Sequence, residues 1–136
     1  MKKLFISCPM RGLDEDYIRE LREWMFQYAC LIWQNEDFEV IDTVLPPEKE
    51  WTKNPSIKCL GRSIQMMADA DYYIGVSDVS NFELRDCYTG CKIENEVATS
   101  KLNHENIFLI GYCHNIPIFH KAFYNMHEVC TDAKIN

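Results

Sequence analysis

A carboxylate close to a glycine is the feature of this sequence best suited to chemistry. Residues 90–98 read Gly-Cys-Lys-Ile-Glu-Asn-Glu-Val-Ala, which predicts that Glu94 lies on the opening turn of a helix. An acidic residue at a helix start is more often simply solvated, so its role depends on its neighbours. A second carboxylate, Asp71, precedes an apolar run at 72–76. Two carboxylates that face one pocket can serve as nucleophile and acid at a glycosidic bond, and we expect Glu94 and Asp71 to be that catalytic pair.

A loop after the first predicted strand has residues suited to binding an anion. Arg11 can grip a phosphate or carboxylate with its planar guanidinium, and backbone N–H groups of the following helix can assist. Asp42 follows the second predicted strand, where a parallel sheet presents side chains to a ligand. The predicted substrate-binding residues are Ser7, Cys8, Pro9, Met10, Arg11, Gly12, Asp42 and Gly90.

Other reactive residue types fit less well. Cys8 as a thiol nucleophile lacks a recognisable histidine partner, so we expect it to be a packing residue. Glu96 would point about 200° away from Glu94 on a helix, and we expect it to be solvated. Cys87 and Cys91 with a later histidine do not match common zinc spacings. We assign no metal and no cofactor.

Apolar runs alternate with amphipathic segments, which indicates parallel βαβ units and an α/β fold with a mainly parallel sheet. The predicted strands are 3–7, 38–41, 72–76 and 107–110. The predicted helices run from Asp14 to about Gln34, from Ile57 to about Met67, and through an inward face of Ile93, Val97 and Ala98. Residues 45–55 are predicted to form a loop and 77–89 to be irregular. The aromatic tail 112–136 fits either a docked helix or a dimer arm.

The first predicted helix has its apolar residues at spacings of three and four. The predicted inward stripe is Tyr17, Leu21, Trp24, Tyr28, Leu31 and Ile32, with Arg19, Arg22 and Glu23 off it. This stripe predicts which side of the helix faces the sheet.

Length and composition limit the possible classes of protein. The 136 residues, 47% of them hydrophobic, suit a single domain over 1–136 with one core. The formal net charge of −7 argues against nucleic-acid binding, and no apolar run is long enough to cross a bilayer. Seven cysteines without a signal peptide fit reduced thiols, so we expect a cytoplasmic protein.

Three segments in order resemble the nucleoside 2-deoxyribosyltransferase-like superfamily, which includes deoxynucleoside monophosphate N-glycosidases. They are Ile-Ser-Cys-Pro-Met-Arg-Gly at 6–12, Ser-Ile-Gln-Met-Met-Ala-Asp-Ala-Asp at 63–71, and the 90–98 segment. The resemblance implies a flavodoxin-like or Rossmann-like three-layer sandwich. It also implies that Glu94 attacks C1′ of the sugar, that Asp71 assists protonation of the departing base, and that the Arg11 loop binds a monophosphate. Family members commonly complete the site with a neighbouring subunit, so a homodimer or higher homo-oligomer is expected.

The reaction type stays open between three possibilities. Transferases of the superfamily often have an aspartate and a glycine where this chain has Tyr88 and Glu96. This departure favours hydrolysis, or a nucleotide-binding module without chemistry, over transfer. A third interpretation is an interaction protein whose aromatic tail docks a partner.

Overall fold

The computed structural model describes the backbone of residues 1–8, 15–43, 52–79, 85–113 and 116–119, and the side chains of 1–8, 15–43, 52–76 and 90–110. Several predictions from the sequence fall outside these ranges. They concern the binding residues Pro9, Met10, Arg11 and Gly12, the helix cap Asp14, most of the loop 45–55, and the tail beyond residue 119.

Five strands and three helices make up the described chain. The strands are β1 (Lys2–Ser7), β2 (Phe38–Val40), β3 (Tyr72–Val79), β4 (Ile107–Cys113) and β5 (Ile116–Phe119). The helices are α1 (Glu15–Ile32), α2 (Pro55–Met67) and α3 (Arg85–Lys101), and a 3-10 turn at His104–Asn106 leads into β4. None of the helices in the described part of the chain combines the length and apolar composition needed to cross a membrane.

The sheet has the strand order β2-β1-β3-β4-β5, which is the order of flavodoxin-like sheets. The first four strands are parallel, and Ser7 of β1 pairs with Gly75 of β3. The predicted α/β class with a mainly parallel sheet is confirmed. β5 pairs antiparallel with β4 and was not predicted, because it is short and contains Pro117, a residue common only at sheet edges.

Helices cover both faces of the sheet and give three layers. Side chains alternate between the two faces along each strand. On one face α1 packs against Leu4, Ile6, Ile74, Val76, Phe108 and Ile110. On the other face Met67 of α2 and Ala98 of α3 pack against Phe5, Tyr73, Ile107 and Leu109.

The inward face of α1 differs from the predicted stripe by about one residue. Its buried residues are Ile18, Leu21, Arg22, Met25, Tyr28 and Ala29. Leu31 was predicted to face inward, but it is 64% exposed. Spacings of three and four fit both registers, and packing against the sheet selects the one that buries Ile18, Met25 and Ala29. Arg22 is therefore buried, contrary to the prediction.

The helix that bears Glu94 begins earlier than predicted. α3 starts at Arg85, nine residues before Glu94, so Glu94 lies in the middle of the helix and not on its opening turn. The predicted irregular stretch 77–89 was wrong at both ends, since β3 continues to Val79. Ile93 was predicted to face inward but is 39% exposed, because the polar Glu94 and Asn95 occupy the inner face with Ala98.

Candidate active site

Glu94 is a buried carboxylate whose two oxygens both accept hydrogen bonds from serine hydroxyls. Ser7 Oγ donates to Oε1 at 2.7 Å, and Ser63 Oγ donates to Oε2. Only 8% of Glu94 is exposed. Ser7 is the last residue of β1, so the cluster lies at the carboxyl end of the parallel strands, where ligands of such sheets bind.

Three different elements bring the cluster together. The alternation of β1 places Phe5 and Ser7 on the face covered by α2 and α3. Ser63 lies one helical turn before Met67, which is buried on the same face, so both side chains of α2 point to the sheet. The site therefore needs the complete packing of β1, α2 and α3.

Burial and hydrogen bonding act in opposite directions on Glu94. Loss of hydration raises the pKa of its carboxyl group, and this effect is the largest. The hydrogen bonds from Ser63 and Ser7 and the charge of Arg22 lower the pKa, but they do not fully compensate. The result is a poorly hydrated carboxylate that takes up a proton more readily than an exposed glutamate does.

Asn95 fixes the helix next to the carboxylate. Its Nδ2 donates to the Val76 carbonyl at 2.6 Å, and its Oδ1 accepts from the Tyr73 hydroxyl. Gly75 lies between them, since a Cβ at that position would be 2.5 Å from Asn95 Oδ1. The missing side chain of Gly75 lets α3 approach β3 closely, and this contact sets the position of Glu94.

The structure separates the predicted catalytic pair. Asp71 precedes β3 at its amino end, whereas Glu94 bonds to Ser7, which pairs with Gly75 four residues further along. At about 3.3 Å per residue, the two carboxylates belong to opposite edges of the sheet. Asp71 Oδ2 accepts from the Lys3 N–H at 2.9 Å, so the carboxylate caps the start of a strand. The prediction that Asp71 shares a pocket with Glu94 was wrong, because an aspartate before a parallel strand lies at the end remote from the ligand edge.

Cys8 and Arg22 lie on the other side of the same strand end. Cys8 packs in the core on the α1 face, as a packing residue would. Burial raises the pKa of its thiol to about 11, although the neighbouring Arg22 opposes this. A thiol with so high a pKa is protonated at neutral pH and is a poor nucleophile.

Asp42 and Gly90 do not bond to Glu94. Asp42 is exposed and lines a groove of about 270 Å³ beside β2, together with Lys3 and Asp69. Gly90 lies one helical turn before Glu94 on α3, and an added Cβ there would meet none of the described atoms within 4 Å. Of the predicted binding residues, the structure brings Ser7 into contact with Glu94.

Two residues of the site escaped the sequence reasoning, namely Ser63 and Arg22. Ser63 lies three residues after Leu60 and four before Met67, so a polar residue on an apolar helical face was the available signal. Arg22 is likewise a polar residue on an apolar helical face, four residues after Ile18 and three before Met25. Glu96 is exposed, which confirms that it does not form a dyad with Glu94.

The described residues hold no group of three or more His, Cys, Asp or Glu side chains that converge as a metal site. The buried carboxylate at the strand end is Glu94, which accepts hydrogen bonds from two hydroxyl groups. Such a carboxylate can attack an electrophilic carbon or stabilise a developing cation. Comparisons with protein-family models, with curated proteins and with solved structures find no match to this chain.

Proposed function

We propose that this protein is an enzyme that cleaves or transfers at the N-glycosidic bond of a deoxynucleoside or its monophosphate, with Glu94 as the nucleophile. One observation carries the proposal: the buried Glu94 carboxylate lies at the carboxyl end of the sheet with a serine hydroxyl on each oxygen. The sequence resemblance to the nucleoside 2-deoxyribosyltransferase-like superfamily supports the substrate class.

In the proposed reaction an oxygen of Glu94 attacks C1′ of the sugar. A C1′–O bond forms while the C1′–N bond breaks, and its electron pair leaves with the base. The hydrogen bonds from Ser7 and Ser63 hold the carboxylate in one orientation for this attack. Water then attacks C1′ in a hydrolase, or a second base does so in a transferase. The C1′–O bond to Glu94 breaks as the new bond forms, its electron pair restores the Glu94 carboxylate, and the proton of the attacking water or base passes to solvent.

The departing base needs a proton, and the structure changes where it is expected to come from. Asp71 lies at the opposite edge of the sheet, so it does not serve as the acid. Among the described residues, the groups that contact the Glu94 oxygens are the hydroxyls of Ser7 and Ser63 and not carboxylic acids. We propose that solvent, or a group outside the described residues, protonates the base.

A nucleotide-binding module without chemistry is the second candidate function. The observation that favours it is that both Glu94 oxygens already accept hydrogen bonds from the protein, as in a structural polar cluster. In this alternative the site binds a nucleotide, but Glu94 serves packing and orientation only.

Base release from a panel of deoxynucleosides and their 5′-monophosphates tests the two functions, with and without a free acceptor base. Chromatography follows the released or exchanged base. We expect Glu94→Gln to reduce kcat/KM at least about 10³-fold, as loss of a nucleophile does. Glu96→Gln is the matched control, because it removes an exposed carboxylate two residues away on α3.

The outcomes separate the candidates. Turnover that depends on Glu94 supports the enzyme. Nucleotide binding by calorimetry, without turnover across the panel, supports the binding module. Equal turnover by Glu94→Gln and Glu96→Gln contradicts the proposed nucleophile.

We also propose that the protein acts in the cytoplasm as a homodimer or higher homo-oligomer. The expected site of the superfamily is completed by a neighbouring subunit, and the described cysteines Cys8, Cys30 and Cys59 are free thiols. Light scattering during gel filtration measures the assembled mass. A value near the 16.0 kDa of one chain would contradict the oligomer.

A further inference from the structure

Arg22 is a buried cation on α1. It is 8% exposed on α1, and among the residues with described side chains Arg22 and Glu94 are the buried members of the Lys, Arg, Asp and Glu types. In the part of the chain that the structure describes, Arg22 donates to carbonyl and hydroxyl groups and to no carboxylate. A charge in this surrounding acts strongly on other charges nearby because little water screens it.

The guanidinium bridges the ends of two strands. The β1–β2 ladder ends with the bond from the Ile41 N–H to the Leu4 carbonyl at 2.9 Å. Beyond it, Arg22 donates to the Ile6 carbonyl of β1 at 3.0 Å and to the Ile41 carbonyl at 3.3 Å. A third bond reaches Thr43 Oγ1 at 3.0 Å. Arg22 thus holds the carboxyl ends of β1 and β2 together where their direct pairing stops.

The hydrogen bond from Arg22 to the Ile6 carbonyl connects Arg22 with Glu94 through one peptide group. The Ile6 carbonyl belongs to the peptide that joins Ile6 to Ser7, and Ser7 donates to Glu94. Arg22 lies on the α1 side of this strand end and Glu94 on the α3 side. The described groups that act on the Glu94 carboxyl are Ser63 from α2, Ser7 from β1 and Arg22 from α1, while the thiol of Cys8, just after β1, is itself influenced by the charges of Glu94 and Arg22.

From this geometry we infer that Arg22 is a positioning residue for Glu94: it fixes the Ile6–Ser7 peptide, and its buried positive charge favours the ionised form of the Glu94 carboxyl. This inference rests on the proposed function only for its catalytic consequence. The coupling between the two charges is a property of the folded protein and can be measured without substrate.

NMR of protein labelled with ¹³C at the glutamate carboxyl carbon measures the coupling directly. Glu94→Gln identifies the Glu94 signal by its disappearance. We expect Arg22→Gln, which keeps hydrogen-bond donors but has no charge, to raise the midpoint of the Glu94 titration by about one pH unit. Arg22→Lys keeps the charge and should leave the midpoint close to that of the native protein.

Arg19→Gln is the matched control, since Arg19 is exposed on the same helix and pairs with Glu15.

Thr43→Val gives a second, milder variant, which removes one hydrogen-bond acceptor of Arg22 and retains the charge of Arg22. It should leave the midpoint unchanged but weaken the hold on Ser7, so kcat falls a few-fold while the pH profile stays in place. An unchanged Glu94 midpoint in Arg22→Gln overturns the inference, as does an equal shift in Arg19→Gln. If Arg22→Gln does not fold, either of two results overturns the inference. One is a Glu94 midpoint in Arg22→Lys that is raised above that of the native protein, and the other is an unchanged kcat in Thr43→Val.

Failure of this inference and failure of the proposed function give different results. If the native protein shows no turnover but Arg22→Gln shifts the titration, the charge coupling stands and the enzyme proposal falls. If turnover is present and the acid limb of kcat/KM is the same in Arg22→Gln and native protein, the enzyme stands and Arg22 has no positioning role.

Discussion

Glu94 has its negative charge inside the protein, and the described groups bonded to its oxygens are hydroxyls and not cations. Hydrogen bonds from Ser7 and Ser63 stabilise the ion and fix its orientation. A direct ion pair would withdraw more of the electron density that a nucleophile uses. The arrangement therefore suits a carboxylate that must be buried, ionised and reactive at the same time.

The raised pKa of Glu94 predicts a stability effect with a definite sign. A carboxyl whose pKa is higher in the folded protein binds more protons there than in the unfolded chain, so stability falls as pH rises from 4.5 through the folded-state value. At pH 7 the ionised Glu94 costs free energy that a neutral glutamine does not. We expect Glu94→Gln to increase the free energy of unfolding at pH 7 by about 0.5–2 kcal/mol, the range common for stabilising substitutions.

Urea unfolding at pH 7 and at pH 4 measures this effect. The gain should shrink at pH 4, where Glu94 is protonated. Glu96→Gln should change little at either pH because Glu96 is exposed. A Glu94→Gln variant that is less stable than the native protein at pH 7 would contradict the sign of the pKa shift.

Sequence reasoning identified Glu94 and Ser7 but missed the residues that control their charge and orientation. Glu94 stood out by residue type and spacing, and Ser7 by its place at a strand end. Ser63 and Arg22 are recognisable only when the phase of each helix relative to the sheet is known. Phase depends on packing between elements, and spacings of three and four allow more than one choice.

At the scale of elements, the contact between α3 and β3 determines where Glu94 lies. Asn95 bonds to the Val76 carbonyl and to the Tyr73 hydroxyl, directly over Gly75. The four parallel strands were predicted close to their observed positions because short apolar runs with few alternatives define them. The start of α3 and the strand β5 were not, since polar residues and a proline gave no periodic signal there.

Adding a methyl group at Gly75 should disturb this contact. In Gly75→Ala the new Cβ would lie 2.5 Å from Asn95 Oδ1 and 2.8 Å from the Tyr73 ring. We expect a loss of about 1–3 kcal/mol in the free energy of unfolding, the usual cost of overpacking, and a fall in kcat because α3 moves. Guanidinium unfolding and the base-release assay measure the two effects.

Gly61→Ala is the matched control for Gly75→Ala. Gly61 is exposed within α2, and an added Cβ meets nothing within 4 Å among the described atoms. Alanine favours a helix interior over glycine, so this variant should gain about 0.5–1 kcal/mol. Equal effects of the two substitutions would mean that the Asn95 contact is not tight.

At the scale of the whole molecule, the two edges of the sheet have different tasks. The carboxyl edge holds Glu94 and its partners, while the amino edge holds Asp71. There the Asp71 N–H donates to the Lys3 carbonyl at 2.8 Å, and Asn106 Nδ2 donates to the Asp71 carbonyl at 3.0 Å. Asp71 therefore connects the starts of β1, β3 and β4.

Asp71→Ala distinguishes this structural role from a catalytic one. Loss of the side-chain acceptor for the Lys3 N–H should lower the free energy of unfolding by about 1 kcal/mol. Activity per folded molecule should stay within about twofold, because the amino edge is remote from Glu94. Asp69→Ala, which removes a nearby exposed carboxylate, is the control. A loss of activity in Asp71→Ala with unchanged stability would restore Asp71 to the catalytic role.

The close approach at Gly75 also limits how this sequence can diverge. A larger residue at position 75 requires a shorter one at position 95, because a Cβ at 75 occupies the space of the Asn95 amide. Either change made first disturbs the hydrogen bonds of Asn95 with the Val76 carbonyl and the Tyr73 hydroxyl. Substitutions at positions 75 and 95 are therefore coupled. A related sequence that has changed one of the two positions is less stable than one that has changed neither. Glu94 is next to Asn95 on α3, so the close contact at Gly75 also restricts the position of Glu94.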